Sequence, residues 1–247
     1  MRRIHRLRSA WDGRVDSWSD TVETGLVFAR LRERMLELAR PTPSDRCIDL
    51  GAGAGFLTVP LAGRVQSVVA VDLSDEMLAM LRRKLEHTQV ASVRTEAMDM
   101  ARFDAPDASF ELVVSSYAFH YLADSDKQEL LRRAGRWLVP GGRLVIADMM
   151  IGLRWDEHHR GVLREKALVM LRRGLPGWWR LLKNLLRMVS GRGRLRPREP
   201  DWWIAAVAQA GFVEVTYEHV ASDAGIMFAR APRAREGTPP SAPGATF

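Results

Sequence analysis

A glycine-rich turn between two apolar strands constrains this chain of 247 residues more than any other feature. Cys47–Leu50 has the composition of a short buried strand, and residues 51–55 read Gly-Ala-Gly-Ala-Gly. A second apolar run, Val68–Val71, ends in Asp72, 21 residues after Gly51. A glycine turn after one strand and a carboxylate after the next are typical of a nucleotide site at the carboxyl edge of a parallel sheet. There the carboxylate can accept hydrogen bonds from both ribose hydroxyls.

The spacing of the glycines indicates which nucleotide is bound. A dinucleotide fingerprint is G-x-G-x-x-G, but here Phe56 occupies the third glycine position, and the glycines are Gly51, Gly53 and Gly55. Asp49 precedes them, and its charge would repel a diphosphate but attract an ammonium group. S-adenosylmethionine carries an ammonium, a sulfonium and no phosphate. The residues therefore favour S-adenosylmethionine over a nicotinamide dinucleotide, which leaves an oxidoreductase as the weakest alternative.

Later segments continue an alternating α/β pattern. Asp99 follows a plausible third strand, and its carboxylate could accept a hydrogen bond from an adenine amino group. Proline and glycine at 140–142 predict a turn before the next strand. The pattern predicts strands at 92–95, 110–116 and 143–148, a helix over 130–138, a helix from about 200 to 210, and a final antiparallel pair at 212–217 and 226–230.

With these motifs the chain resembles the class I S-adenosylmethionine-dependent methyltransferases, and most of all the small-molecule branch with the ubiquinone/menaquinone C-methyltransferases. The resemblance rests on IDLGAGAG, VVAVDLS, EAMD, FELVVSSYAFHYL and LRRAGRWLVPGGRLVIAD. It covers about residues 40–150, and more weakly 200–230. It implies an α/β fold with a Rossmann-like, seven-stranded, mostly parallel sheet, helices on both faces, an antiparallel last strand and a helical lid inserted after strand five.

The resemblance also implies roles for individual residues. Asp49 and the three glycines would hold the methionine end of the cofactor, Asp72 the ribose and Asp99 the adenine. The same resemblance places Met77 and Met98 against the adenine and Ser115 beside the methionine part.

The acceptor chemistry is less constrained. Methyl transfer needs alignment and exclusion of water, and a base is needed only if the acceptor must lose a proton. His120, just past strand four, is the candidate base, with Tyr117 and Tyr121 as alternatives or as walls of the acceptor pocket. Asp148 either faces the same cavity or caps the following turn. No metal-ligand spacing is present, so we expect no metal.

The absence of several sequence motifs reduces the number of possible acceptor classes. Residues 115–118 read Ser-Ser-Tyr-Ala and not the Asn/Asp-Pro-Pro-aromatic loop of enzymes that methylate nucleobase amines. The stretch has no glutamate pair of the kind that protein-arginine methyltransferases use, and Cys47 is misplaced for cytosine C5 chemistry. We expect methyl transfer to O, N or C of a small hydrophobic acceptor such as a quinone, a polyketide or a lipid-like intermediate.

The positive charge is concentrated in one segment. The formal net charge is +7, yet residues 154–198 contain 13 Lys and Arg against 3 Asp and Glu, a balance of +10. Residues 178–189 place apolar and basic side chains on opposite helix faces, which is typical of a lid covering a core. Peripheral contact with an anionic membrane and contact with RNA remain open as alternatives.

Five regions follow from these patterns. They are a helical cap at 1–40 with Trp11 and Trp18, a cofactor-binding core at 41–153, a basic helical lid at 154–198, the C-terminal part of the core at 199–230 and a disordered tail at 231–247.

The composition also bears on compartment and partners. A single cysteine excludes an internal disulfide and suits a reducing compartment, so we expect a cytoplasmic enzyme that acts on a small molecule, with the membrane surface left open. Nucleic acid is the less favoured partner. Two other functions stay open: an RNA methyltransferase that uses the basic segment, and a cofactor-binding partner protein without transfer activity.

Overall fold

A computed structural model of the chain describes residues 8–9, 11–12, 26–86, 92–150, 195–221 and 224–233. The predicted lid up to residue 194, Trp18 and the tail beyond residue 233 lie outside the described residues. Among the described helices, none is both long enough and apolar enough to cross a bilayer.

The centre of the fold is a seven-stranded sheet with strand order β3-β2-β1-β4-β5-β7-β6. Adjacent strands from β3 through β5 pair in parallel, whereas β7 is antiparallel to both β5 and β6. The predicted mixed sheet is thereby confirmed. The strands are β1 Arg46–Leu50, β2 Ser67–Asp72, β3 Ser92–Ala97, β4 Phe110–Ser116, β5 Leu138–Met149, β6 Val213–Ala221 and β7 Ala224–Arg230.

Helices cover both faces of this sheet. Ser74 caps the helix after β2, because its hydroxyl oxygen accepts a hydrogen bond from the Met77 N–H. The helices are α1 Leu26–Ala39, α2 Thr58–Ala62, α3 Asp75–Leu85, α4 Asp124–Trp137 and α5 Pro200–Gln209, with short 3-10 turns at Met100–Arg102 and Phe119–Tyr121.

The alternation of side chains along β1 divides the core in two. Ile48 and Leu50 point to one face and pack with Trp137 of α4 and Trp203 of α5. Cys47 points to the other face and packs with residues of α1 and α2. Because β1 is buried on both faces from Cys47 onward, residues 47–50 are apolar except for Asp49. The Asp49 carboxylate is therefore held inside the protein.

The structure differs from the sequence prediction around residues 138–142. The predicted turn at 140–142 lies within β5, which begins at Leu138, directly after α4. Leu138 pairs with Phe110, but Arg143 pairs with Leu112, so β5 accommodates extra residues as an irregularity in the ladder. Gly141 has φ +78°, a conformation that glycine adopts easily. Proline and glycine here mark a bulge, and not the end of pairing.

Candidate active site

The carboxyl ends of β1, β2 and β4 meet at the glycine turn. Gly51 follows β1 with φ +76°, and a Cβ atom placed on it would lie 2.2 Å from the Cβ of Ala118, which follows β4. Glycine is required there, because the two strand ends approach too closely for any side chain.

Hydrogen bonds within the protein occupy four of the five N–H groups of residues 51–55. Gly51 and Ala52 both donate to the Val71 carbonyl, at 2.7 and 3.0 Å, and Gly55 donates to the Ala52 carbonyl at 2.9 Å. Gly53 donates to Asp72 Oδ2 at 2.9 Å. A pyrophosphate site needs such N–H groups directed at the ligand. The N–H groups of the three glycines are thus not directed at a ligand, which disfavours a dinucleotide at this turn.

Asp72 is fixed by the backbone at the end of β2. Its Oδ2 accepts from Gly53, and its Oδ1 accepts from the Ser74 N–H at 2.8 Å. Burial raises the pKa of this carboxyl, and the N–H donors from Ser74 and Gly53 oppose that rise. Each carboxylate oxygen has a further lone pair, and Asp72 lines the larger of two cavities beside the turn. The carboxylate is thus rigidly placed with acceptor capacity remaining for a ligand.

Asp49 lies on the other side of the turn. It is 1% exposed, and its Oδ2 accepts a hydrogen bond from the Thr58 hydroxyl at 2.7 Å. Burial raises its pKa to about 7, the Asp72 charge contributes in the same direction, and the Thr58 hydrogen bonds act against it. Asp49 therefore sits near half ionisation at neutral pH and would gain from a nearby cation.

The larger cavity has a volume of about 420 Å³ and joins residues from all these elements. Three aspartates, Asp72, Asp99 and Asp126, lie in its wall, and methionine, aromatic and aliphatic side chains also line it. Its lining includes Trp11, Gly51, Gly53, Asp72, Met77, Asp99, Met100, Ser116, Tyr117 and Tyr121.

Met98 and Ser115 differ from their predicted places. Neither lines either of the two cavities beside the turn. Ser115 is fully buried and donates to the Leu50 carbonyl at 2.6 Å, whereas Ser116 lines both cavities. The reason is the two-residue period of a strand: Ser115 shares the face of Val113 that packs on α4 and α5, and Ser116 points to the opposite face. Met98 packs against the same apolar cluster.

A smaller cavity of about 200 Å³ adjoins the turn on the side of α1 and α2. It shares Gly51, Gly53, Ser116 and Tyr117 with the larger cavity, so the two are neighbours across the turn. Asp49 and Gly55 also line it, as do Phe28, Arg32, Phe56 and Lys84.

His120 is buried behind the larger cavity and does not line either described cavity. Its Nδ1 lies 2.5 Å from Asp148 Oδ1, and its backbone N–H donates to Asp148 Oδ2 at 2.8 Å. The ring lies 4.2 Å, centroid to centroid, from that of Tyr121. Asp148 therefore fixes the orientation of the His120 ring, a link between β5 and the loop after β4 that the sequence analysis did not predict.

Aromatic rings form the wall nearest to His120. Tyr117 has φ +51°, an unusual backbone for a non-glycine residue, and lines both cavities. Trp11 lines the larger cavity and meets Tyr121 edge-on with centroids 5.6 Å apart. Backbone strain at a residue that faces a cavity is typical of functional sites.

Several residues that line the cavities were not predicted from the sequence. Phe28 and Arg32 lie one helical turn apart on α1, so the i, i+4 spacing was the available signal. Lys84 and Met100 had no such signal, because their places depend on how α3 and the loop after β3 pack.

Comparison with known proteins agrees with this geometry. A family model described as a methyltransferase domain matches residues 47–142. The demethylmenaquinone methyltransferase of Thermus thermophilus is 36% identical over 197 residues, which cover 76% of this chain and 83% of that enzyme. An uncharacterized methyltransferase of Anoxybacillus flavithermus is 33% identical over 101 residues, 41% of this chain. That match spans only 45% of the relative's length.

A solved structure shares the fold. Phosphoethanolamine N-methyltransferase 2 of Haemonchus contortus, in complex with S-adenosylhomocysteine and phosphomonomethylethanolamine, superposes with a TM-score of 0.61 at 17% identity. The match covers 83% of this chain and 52% of that chain. With the identity across most of the Thermus enzyme, the sheet order and the turn geometry, these findings show that the chain belongs to the class I S-adenosylmethionine-dependent methyltransferases and uses S-adenosylmethionine as methyl donor.

Proposed function

We propose that this methyltransferase acts on O, N or C of a small hydrophobic acceptor of the quinone, polyketide or lipid-like kind. The observation that carries the proposal is the 36% identity with a demethylmenaquinone methyltransferase over 83% of that enzyme's length. The three aromatic side chains beside the glycine turn, Trp11, Tyr117 and Tyr121, support it, because flat apolar rings favour a flat apolar acceptor.

We assign the cofactor to the two cavities on either side of the turn. Asp72 would accept hydrogen bonds from the ribose hydroxyls, and Asp99 and Met77 would contact the adenine in the larger cavity. Asp49, Gly51, Gly53 and Gly55 line the smaller cavity or its entrance and would hold the ammonium end. The fit rests on a turn in which the N–H groups of Gly51, Gly53 and Gly55 are already bonded within the protein, and on a buried carboxylate that a cation would stabilise.

When bound, the cofactor supplies a methyl group already activated by its sulfonium. The protein then has to align the acceptor, exclude water and, where required, remove a proton. With Asp148 bound at Nδ1, His120 has Nε2 as the ring nitrogen left to accept that proton. Tyr117 stays the alternative, since it lines both cavities itself.

The lid is retained as part of this proposal. Both ends of the segment outside the described residues join the structure near His120. Before it, Asp148 of β5 is bonded to His120, and after it, the Arg196 N–H donates to the His120 carbonyl at 2.6 Å. The described residues on either side of this segment thus contact His120 beside the aromatic wall, which supports the proposal that the segment acts as a lid on the acceptor pocket.

The function is tested by supplying the purified protein with methyl-labelled S-adenosylmethionine and three acceptors. These are a short-chain demethylated naphthoquinol, phosphoethanolamine and a structured RNA. We expect product from the quinol, whose reduced ring is electron-rich at carbon and oxygen. Methylation of phosphoethanolamine or RNA alone would contradict the proposal.

The role of His120 is tested on the same reaction. If it removes the proton, His120→Gln should lower kcat by about 10²- to 10⁴-fold and leave the Kd for S-adenosylhomocysteine unchanged. An unchanged kcat would show that His120 and Asp148 hold only the loop after β4.

A further inference from the structure

The smaller cavity contains a guanidinium besides the carboxyl group of Asp49. Arg32 lies on α1 and lines this cavity, while Asp49 lines it from β1. The cavity therefore presents a cation and a buried carboxyl. This arrangement is complementary to an amino-acid tail, which has an ammonium and a carboxylate on one carbon.

Aromatic rings hold Arg32 in position. Its guanidinium carbon lies 5.8 Å from the centroid of the Phe56 ring. Phe28, one turn earlier on α1, meets Phe56 edge-on with centroids 6.2 Å apart and lies 5.5 Å from the Tyr117 ring. A guanidinium stacked on a ring is oriented without using its N–H donors.

No hydrogen bond or ion pair joins the Arg32 guanidinium to another residue within the described part of the chain. Its neighbour Arg34 differs, because Arg34 donates to Glu218 at 2.8 and 2.9 Å and to Glu37 at 2.7 Å. Lys84, the other cation of the cavity, donates to the Ala54 carbonyl at 3.0 Å. Arg32 is thus the cation of this wall with donors left for a ligand.

We propose that Arg32 binds the α-carboxylate of the cofactor's amino-acid tail through a forked pair of hydrogen bonds, while Asp49 receives the ammonium of the same tail. The proposal rests on the placement of the adenosine at Asp72 and Asp99. The planar guanidinium matches a carboxylate in two parallel hydrogen bonds, which a lysine cannot form. Arg32 is then a cofactor-binding residue that recognises the carboxylate alone.

Three ligands separate these contacts by calorimetry without any turnover. S-adenosylhomocysteine has the ammonium and the carboxylate, its decarboxylated analogue has only the ammonium, and 5′-methylthioadenosine has neither. We expect Arg32→Met to lower the affinity for S-adenosylhomocysteine by about 10- to 100-fold and to leave the affinities for the other two ligands unchanged. Arg32→Lys should recover part of the loss, because it restores the charge without the fork.

Two further variants serve as controls. Arg30→Met removes a charge from the exposed side of the same helix and should leave all three affinities at the wild-type value. Lys84→Met reports on the second cation of the cavity. If Lys84→Met lost affinity for S-adenosylhomocysteine and Arg32→Met did not, the carboxylate would be bound by Lys84, and the inference would be overturned.

Other outcomes also decide the question. Equal weakening of S-adenosylhomocysteine and its decarboxylated analogue in Arg32→Met would show that Arg32 does not recognise the carboxylate. A loss of 5′-methylthioadenosine binding in that variant would mean that Arg32 supports the whole site. If the wild type bound none of the three ligands, the cofactor placement itself would fail, and the inference with it.

Discussion

Burial makes Asp49 a weaker acid than an exposed aspartate, and this ties its charge to the presence of a ligand. The carboxyl is buried away from water, and the hydroxyl of Thr58 donates a hydrogen bond to it. With a pKa of about 7, it is about half protonated at neutral pH in the empty protein. A cation placed beside it would favour the ionised form, so cofactor binding and ionisation of Asp49 promote one another.

The pH dependence of cofactor binding follows from this coupling. We expect the affinity for S-adenosylhomocysteine to fall by up to about tenfold per pH unit below about 7 and to be flat above it. The sign follows because protonation removes the charge that attracts the ammonium. Calorimetry between about pH 5.5 and 8.5 measures it. Binding of 5′-methylthioadenosine, which has no ammonium, should not change, and Asp49→Asn should abolish the dependence for S-adenosylhomocysteine.

The Asp49 carboxyl has the opposite pH effect on the stability of the ligand-free protein: a rise in pH strengthens cofactor binding but lowers the free energy of unfolding. Because folding raises its pKa from 3.8 to about 7, the Asp49 carboxyl is less stable ionised in the fold than in the unfolded chain. Its contribution to the free energy of unfolding should therefore fall as pH rises through this window and stay constant above it. An Asp49→Asn variant that unfolded with the same pH profile as the wild type would contradict this.

At single positions, the sequence predicts which polar residues lie near the site better than it predicts what each side chain contacts. Asp72 and Asp99 follow strands and line the larger cavity, as their spacing indicates. Choosing between Ser115 and Ser116 requires knowing which face of β4 packs on α4 and α5. The bond between His120 and Asp148 joins residues 28 positions apart in the chain, and no local pattern records it.

The glycine turn is the element whose geometry tolerates least change. Gly51→Ala should lower the free energy of unfolding by about 2–4 kcal/mol, because the new methyl would overlap the Ala118 side chain in a strained backbone conformation. Chemical denaturation measures this. Gly63→Ala is the matched control: Gly63 ends α2 at φ −82°, a Cβ atom added there would meet nothing within 4 Å, and the variant should unfold within about 0.5 kcal/mol of the wild type. Equal effects of the two substitutions would show that the turn is not constrained as described.

A buried lysine joins α4 to the chain that enters α5. Lys127 is fully buried, and its ammonium donates to the Arg196 carbonyl at 2.5 Å and to Asp124 at 3.4 Å. Burial lowers its pKa, and the charge of Asp124 acts against that. Asp124 also pairs with Arg198. These contacts fix the position at which the described chain resumes after residue 194.

Removing Lys127 tests this junction. Lys127→Ala should destabilise the protein by about 2–4 kcal/mol, because it leaves a cavity and an unpaired carbonyl. Arg132→Ala on the same helix, where Arg132 forms an exposed pair with Glu129, should change stability by no more than about 0.5 kcal/mol. Thermal and urea unfolding give both values. Similar stability losses would mean that the buried lysine contributes no more than a surface ion pair.

The elements themselves were largely predictable. The apolar runs of β1, β2 and β4 identify these strands within one residue at each end, whereas the helical period over 130–138 identifies α4 but misses its first six residues, because they are polar. The early start of β5 was not predictable, because residues 140–142 have the composition of a turn. Only pairing with Phe110 on one side of them and with Leu112 on the other keeps them in the strand.

The charge of the whole molecule is divided between two parts. Residues 154–198 carry +10 and the rest of the chain −3. The basic segment therefore has the largest concentration of positive charge in the sequence to offer to an anionic surface. Sequence alone leaves three uses open for it: a lid, a membrane contact and an RNA contact. A lid, a membrane-binding helix and an RNA-binding helix can all have this composition, so an experiment must identify the partner that the segment contacts.

Vesicle binding separates these uses. If the segment contacts membrane, sedimentation with anionic phosphatidylglycerol vesicles should show binding that weakens steeply with salt, with none to phosphatidylcholine. Substituting Arg180, Lys183 and Arg187 by Gln should reduce binding by about 100-fold, at about 1 kcal/mol for each charge. The same change at Arg40, Arg64 and Arg83 should have little effect. Preference for structured RNA over vesicles would instead favour the RNA alternative.

The hydrogen bonds of the glycine turn also limit how this scaffold could be re-engineered. Restoring the dinucleotide spacing by replacing Phe56 with glycine would not create a nicotinamide site. The Gly53 N–H would still be held by Asp72, and the Asp49 carboxylate would still oppose a phosphate. To bind a dinucleotide, the protein would need a free Gly53 N–H and a neutral residue in place of Asp49 at the same time. A change of coenzyme therefore requires several coordinated substitutions.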